Sequence, residues 1–240
     1  MNRRATAWLV APLAAALSFS TAAAVTLQGT RIVHDAGKGR DVTVKATNVG
    51  TSPALTQVWI DAGDSHARPE DVRTPFRLTP AEPRLLQAQQ SQAYRITHAP
   101  RPSDPALPSS RESVFYFNLL DVPPKPVGSD GSNLLQFAVR TRVKLFHRPA
   151  GLPGRPDEAA AQLQWRLQAG ALHAYNPTAY HVTLGKVTLA DGRTLDADMV
   201  APGAVLQLPM PAGDPAPATL SFQWLDDYGT ARDAQATIVH

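Results

Sequence analysis

The sequence has 240 residues, a formal charge of +3, 22 prolines and no cysteine. Without cysteine no disulfide can staple a folding unit, so each must rest on its own apolar core. Arg3 and Arg4 supply two of the three charges, leaving +1 for the rest of the chain. No aromatic-basic cluster of the kind that grips nucleic acid accompanies it.

The chain opens with Arg3 and Arg4, an apolar run over residues 7–19, and Ala22-Ala23-Ala24. This is the pattern of a secretory leader, too short to span a membrane, with cleavage expected after Ala24 and residues 1–24 removed. No later stretch has the length of a transmembrane helix, so no membrane insertion is expected. The remainder suits two domains of roughly 100 residues each.

Helix-period patterns are scarce and prolines punctuate short apolar runs, which reads as an all-β chain. Strands are expected over residues 25–34, 41–48 and 54–61, the last with Trp59. Shorter candidates follow at 75–78 and 92–97, then a strong strand at 113–120 rich in Val, Phe and Tyr. Residues 121–133, DVPPKPVGSDGSN, are turn chemistry throughout. They lead into the longest alternating stretch, residues 134–149. There Leu135, Phe137, Val139, Val143 and Leu145 share one face, interrupted by Thr141, while Gln136, Ala138, Arg140, Arg142, Lys144 and Arg148 take the other. A strand so long with an apolar stripe is an aggregation hazard at a sheet edge. It is either wholly buried or built to be offered to another chain.

The sequence PAGLPGRP, residues 149–156, cannot continue a ladder and marks a domain boundary. The expected division is 25–148, a linker at 149–157, and a second domain at 158–240. Within the latter, strands are expected at 162–167, 171–175, 182–189, 194–195 and 219–225. Two consecutive immunoglobulin-like β-sandwiches are the economical architecture.

Catalytic signals are absent. His34, His66, His98, His147, His173, His181 and His240 lack metal-ligand spacing and read mostly as loop or surface residues. Gly63-Asp64-Ser65-His66 sits in a polar turn without a nucleophile-elbow pattern. Asp226 and Asp227 are adjacent on an extended segment and point apart. Gly37-Lys38-Gly39 is a turn, not a phosphate loop. No enzyme activity, cofactor or metal is expected.

Several motifs in order, however, carry a resemblance. They are Thr30-Arg31-Ile32-Val33; Arg111-Glu112-Ser113 followed by Phe115 and Asn118; Arg142 to Pro149, RVKLFHRP; Asn176-Pro177-Thr178; and Asp227-Tyr228-Gly229. Together they resemble the PapD-like periplasmic chaperones of fimbrial and pilus assembly across almost the whole chain. Departures are His147, where an aromatic is common, and Ala179-Tyr180-His181, where a proline and paired tyrosines are common.

The resemblance implies two immunoglobulin-like domains set as a boomerang, and a non-enzymatic chaperone in the periplasm that lends a strand to an incomplete pilus subunit. It implies that Arg31 and Lys144 bind the subunit's C-terminal carboxylate and that Leu135, Phe137 and Val139 are the donor residues. Glu112, Arg148 and Asp227 would form an interdomain charge network. The partners implied are pilus subunits and an outer-membrane usher; self-association of the free chaperone through its donor strand is left open by the sequence. The short loop before the donor strand resembles the short-loop subgroup. The alternative weighed against this is an exported β-sandwich module that binds carbohydrate or another ligand. It would need an exposed aromatic platform, and the four tryptophans are dispersed.

Overall fold

The structure is a computed structural model and describes residues 24–124, 136–210 and 218–239. Nine strands build the first domain: β1 (Val25–Leu27), β2 (Arg31–Asp35), β3 (Asp41–Asn48), β4 (Ala54–Asp61), β5 (Phe76–Thr79), β6 (Arg84–Leu86), β7 (Ser91–His98), β8 (Ser113–Val122) and β9 (Val139–Arg148). The second contains β10 (Gln164–Gln168), β11 (Ala171–Tyr175), β12 (Val182–Leu189), β13 (Thr194–Asp196), β14 (Met199–Val200), β15 (Val205–Pro209), β16 (Thr219–Leu225) and β17 (Ala231–Val239).

In the first domain β1-β3-β7-β5 form one sheet and β2-β9-β8-β4-β6 the other. All pairs are antiparallel except β2 with β9. Val44, Tyr94 and Ile96 from one sheet meet Val58, Phe117, Leu119 and Leu145 from the other, so alternation buries one face of each sheet. The second domain runs β13-β12-β16-β17-β10-β11-β15, with β14 on β12, around a separate core of Trp165, Leu172, Val187, Leu220 and Phe222. Two distinct cores mean that the domains are independently packed, as a chain without cysteine requires.

The sequence reading needs correction in four places. The strand expected over 25–34 is two strands in different sheets, broken where Gly29 takes φ +93°, a conformation that favours glycine. The long strand joins the ladder only from Val139. Residues 136–138 lie outside it, and Leu134 and Leu135 fall outside the described residues. Strands β6, β14, β15 and β17 were not foreseen. In β17 the residues facing the core are Ala234, Ala236 and Ile238, and two alanines give little strand signal.

The histidines are the fourth correction. His34 and His147 are buried and stack on each other at one end of the first domain, with His98 tilted against both and Phe76 edge-on. His34 Nε2–H donates to the Arg40 carbonyl at 2.8 Å, which leaves its Nδ1 to accept from His147 Nδ1 at 3.1 Å. Burial, then the neighbouring His98 and His34, push His147 down from 6.5 to about 4. Burial also lowers His98, reinforced by His34 and Arg40.

A histidine depressed in the folded state contributes stability that is complete above its unfolded value and is lost as pH falls toward the folded one. Urea denaturation should therefore show the protein losing stability as pH drops from 6.5 toward 4, the window set by His147. The loss should be smaller in His147→Phe, whose ring cannot titrate. Equal losses in both proteins would show that the cluster does not govern the acid response.

Candidate functional site

The parallel pairing of β2 with β9 sets Arg31 directly opposite Lys144. Directly opposed residues point to the same face, so the two cations stand side by side on the outer face of the five-stranded sheet. That face looks into the cleft between the domains, a cavity of ≈ 840 Å³ lined by Arg31, Arg148, His181, Trp224 and Tyr228 among others. Arg31 Nη1 donates to the Leu225 carbonyl at 2.9 Å and the guanidinium lies over the Phe146 ring at 5.5 Å. Its Nε is buried with no partner among the described residues. Burial draws the Arg31 pKa down, against the opposing pull of Asp227, Asp226 and Glu112. Lys144 Nζ reaches Asp198 Oδ1 of the second domain at 3.3 Å, and that aspartate is largely exposed.

Glu112, Arg148 and Asp227 come together at the domain junction. Arg148 Nε donates to Glu112 Oε1 at 2.7 Å, while Nη1 and Nη2 grip Asp227 Oδ2 and Oδ1 at 2.8 and 3.0 Å. The second oxygen of Glu112 accepts the His181 amide at 2.8 Å, and its own amide donates to the Ala179 carbonyl. Burial would lower the Arg148 pKa, but the hydrogen bonds and charges of Asp227 and Glu112 raise it overall. The turn carrying Asp227 also needs Gly229, whose φ is +80° and whose Cα lies so close to Thr30 that a Cβ would collide with Thr30 Oγ1. Asp226 instead caps the same turn by accepting the Tyr228 and Thr230 amides, so the adjacent carboxylates serve separate partners.

Along β9 the apolar stripe walks out of the core. Leu145 is 0% exposed and Val143 9%, Val139 is half-buried, and Phe137 is 59% exposed. Strand β2 covers only Lys144–Arg148, whereas β8 pairs with Val139–His147. Among the described residues, the other edge of Val139–Val143 has no strand beside it. Unpaired main-chain groups at such an edge template the pairing of another chain.

Three features escaped the sequence. Asp61 is fully buried, with Arg142 on both oxygens at 2.7 and 3.1 Å and Asn118 at 2.8 Å. Burial alone would raise its pKa, but the bonds from Arg142, Asn118 and the Gly63 amide hold it below the usual value. Asp198 and the Leu225 carbonyl reach Lys144 and Arg31 from the second domain. All three depend on contacts distant in sequence that no local pattern announces.

Two immunoglobulin-like sandwiches, a cleft between them with Arg31 in its wall, and an open sheet edge define the class of protein. The family description "Pili and flagellar-assembly chaperone, PapD N-terminal domain" matches residues 24–153, and "Pili assembly chaperone PapD, C-terminal domain" matches residues 158–236. The chain is 38% identical to the chaperone protein FimB/FhaD of Bordetella pertussis over 241 residues, covering 99% of this chain and 97% of the relative. It is 36% identical to the probable fimbrial chaperone YadV of Escherichia coli K12, covering 93% of each. The crystal structure of YadV superposes with a TM-score of 0.74 at 32% identity, over 89% of this chain and 99% of that one. The Salmonella enterica SafB chaperone, solved with the SafA pilin, gives a TM-score of 0.75 at 25% identity, over 89% and 95%. The chain belongs to the family of PapD-like pilus-assembly chaperones.

Removing the arginine from the junction strands a buried glutamate without its cation. Arg148→Ala should therefore cost about 3–5 kcal/mol of folding stability, the usual effect of breaking a buried pair from one side. Equilibrium urea denaturation measures it, and a loss below about 1 kcal/mol would reduce the network to surface pairing.

Proposed function

We propose that this protein captures pilus subunits by binding their C-terminal carboxylate between Arg31 and Lys144 and completing their fold with β9. The observation that carries this reading is the unpartnered, buried Arg31 Nε beside Lys144. A guanidinium and an ammonium on directly paired residues of one sheet face suit a single carboxylate, with charge-assisted hydrogen bonds to both. Asp198 acts as a place-holder on Lys144 in the free protein, and the incoming carboxylate displaces it. Fixing the terminus fixes the register of every residue zipped along the β9 edge beyond it.

Leu135, Phe137 and Val139 are the side chains we assign to the subunit's groove. Phe137 supports this by its exposure, since a large apolar ring at the end of a core stripe is left mostly uncovered by the described residues. The alternative of a sugar-binding module finds no support here. Trp59 and Trp165 are buried and Trp224 is half-buried. We further propose that the N-terminal segment is a leader, that the chaperone works in the periplasm, and that it passes subunits to an outer-membrane usher. Glu112, Arg148 and Asp227 hold the cleft at the angle this capture requires. When no subunit is present, the same open edge gives the free chaperone a route to self-association.

Arg31→Ala and Lys144→Ala should each abolish recovery of a co-expressed pilin while leaving the thermal melt near that of the unaltered protein. Each loses a charge-assisted contact of about 1.5–3 kcal/mol together with the register it sets. Full recovery of pilin by both variants would sink the anchor assignment.

Phe137→Ser should likewise weaken pilin recovery, with little change in the melt of the free protein. If Phe137 belonged to its own core, the same substitution would cost about 3–5 kcal/mol of folding stability. Calorimetry of the free variant, set beside pilin recovery, separates the two cases.

A further inference from the structure

Asp121 ends the pairing of β8 with β9, opposite Val139, and is 3% exposed. Its Oδ2 accepts two main-chain N–H groups, Ala24 at 2.9 Å and Val25 at 3.0 Å. Its Oδ1 is buried and has no partner among the described residues. Among the described residues no lysine, arginine or histidine side chain forms an ion pair with it. A carboxylate removed from water with neither a counter-ion nor a full set of donors is costly, and native folds supply one.

We propose that Asp121 is the seat of the mature chain's α-ammonium group, and that the leader is cut between Ala23 and Ala24. Hydrolysis of that peptide bond by a leader peptidase consumes one water. It leaves the Ala23 carboxylate on the leader and an ammonium on Ala24. The amide already aimed at Asp121 thereby becomes a cation with three N–H donors. One keeps the bond to Oδ2, another is available to Oδ1, and the charge offsets that of the carboxylate.

The position of the cut follows from what Ala24 does in the fold. Its carbonyl accepts the Val49 amide at 2.7 Å, and a methyl group on Gly50 would press against the Ala24 Cβ. Ala24 is thus an integral part of the β1 corner. Removing it would forfeit the Val49 bond and one of the two donors to Asp121. The first mature residue is therefore one position earlier than the cut after Ala24 that the small-residue pattern suggested. Asp121 lies beside the open stretch of β9, so the processed terminus braces the strand end nearest the donor residues.

The inference rests on the leader reading, and the test distinguishes their failures. The full 240-residue chain is expressed in a bacterium with a secretory route, and the periplasmic protein is sequenced from its N-terminus. Ala24 is the expected first residue. The α-ammonium of the folded protein, followed by NMR on ¹⁵N-labelled material, should hold its proton at least tenfold more tightly than the same group in urea. An ordinary α-amino group has a pKa of about 7.7–8.0, so the folded value should exceed this by one or more. Asp121→Asn should remove the difference. If that variant does not fold, the comparison of folded and urea-unfolded unaltered protein stands alone. A first residue other than Ala24, or equal proton affinity folded and unfolded, overturns the seat while leaving export intact. A chain that keeps residues 1–23 overturns both.

Discussion

The parallel pairing of β2 with β9 is the constraint on which the rest of the molecule depends. It brings Arg31, from the beginning of the chain, beside Lys144, more than a hundred residues later, with His34 opposite His147 and Asp35 opposite Arg148. Because side chains alternate, a slip of one residue would turn Arg31 toward the core and away from the cleft. The register is held from the apolar side by Ile32 and Leu145 in the core, and by the hydrogen bond between the two histidines. Gly29 makes it possible by letting the chain leave one sheet and enter the other within a few residues.

The same strand carries the link to the second domain. Arg148, the last residue of β9, binds Glu112 at the foot of the neighbouring strand and Asp227 across the junction. Buried ion pairs of this kind contribute little net stability compared with apolar packing, because desolvation offsets most of their attraction. Their directional demands are another matter. The bidentate grip on Asp227, together with the close approach of Thr30 to Gly229, restricts the second domain's turn to a narrow range of positions. On the proposed reading the junction fixes geometry at small energetic cost, and Leu225 and Asp198 meet Arg31 and Lys144 beside it.

Much of this was legible in the sequence because alternation and turn chemistry are local. The strands with full apolar stripes, such as β3, β4, β8 and β12, stand close to where the pattern placed them. Strands faced by alanine, such as β17, were not legible, since a small residue on a covered face looks the same as one on an exposed face. Arg31 and Lys144 came from a resemblance of motifs, and neither residue's surroundings were readable. The orphan Nε, the Leu225 carbonyl and Asp198 all arise from chain separations that only the fold closes. The histidines misled even though His34 and His147 stand two residues beyond the core residues Ile32 and Leu145, because a polar side chain on that face is legible as buried only once the three rings, far apart in sequence, are brought together.

The direction of β9 has a consequence for the loan of a strand. On the proposed reading a captured subunit ends at Lys144 and lies along the edge that begins at Val139, so its last strand must run the same way as β9. Parallel ladders have slanted hydrogen bonds and are slightly less stable per residue than antiparallel ones. A subunit held in this sense is kept soluble without reaching its most stable partner arrangement. Exchange for an antiparallel strand from another chain is then downhill, and the chaperone can be recovered without an energy source of its own.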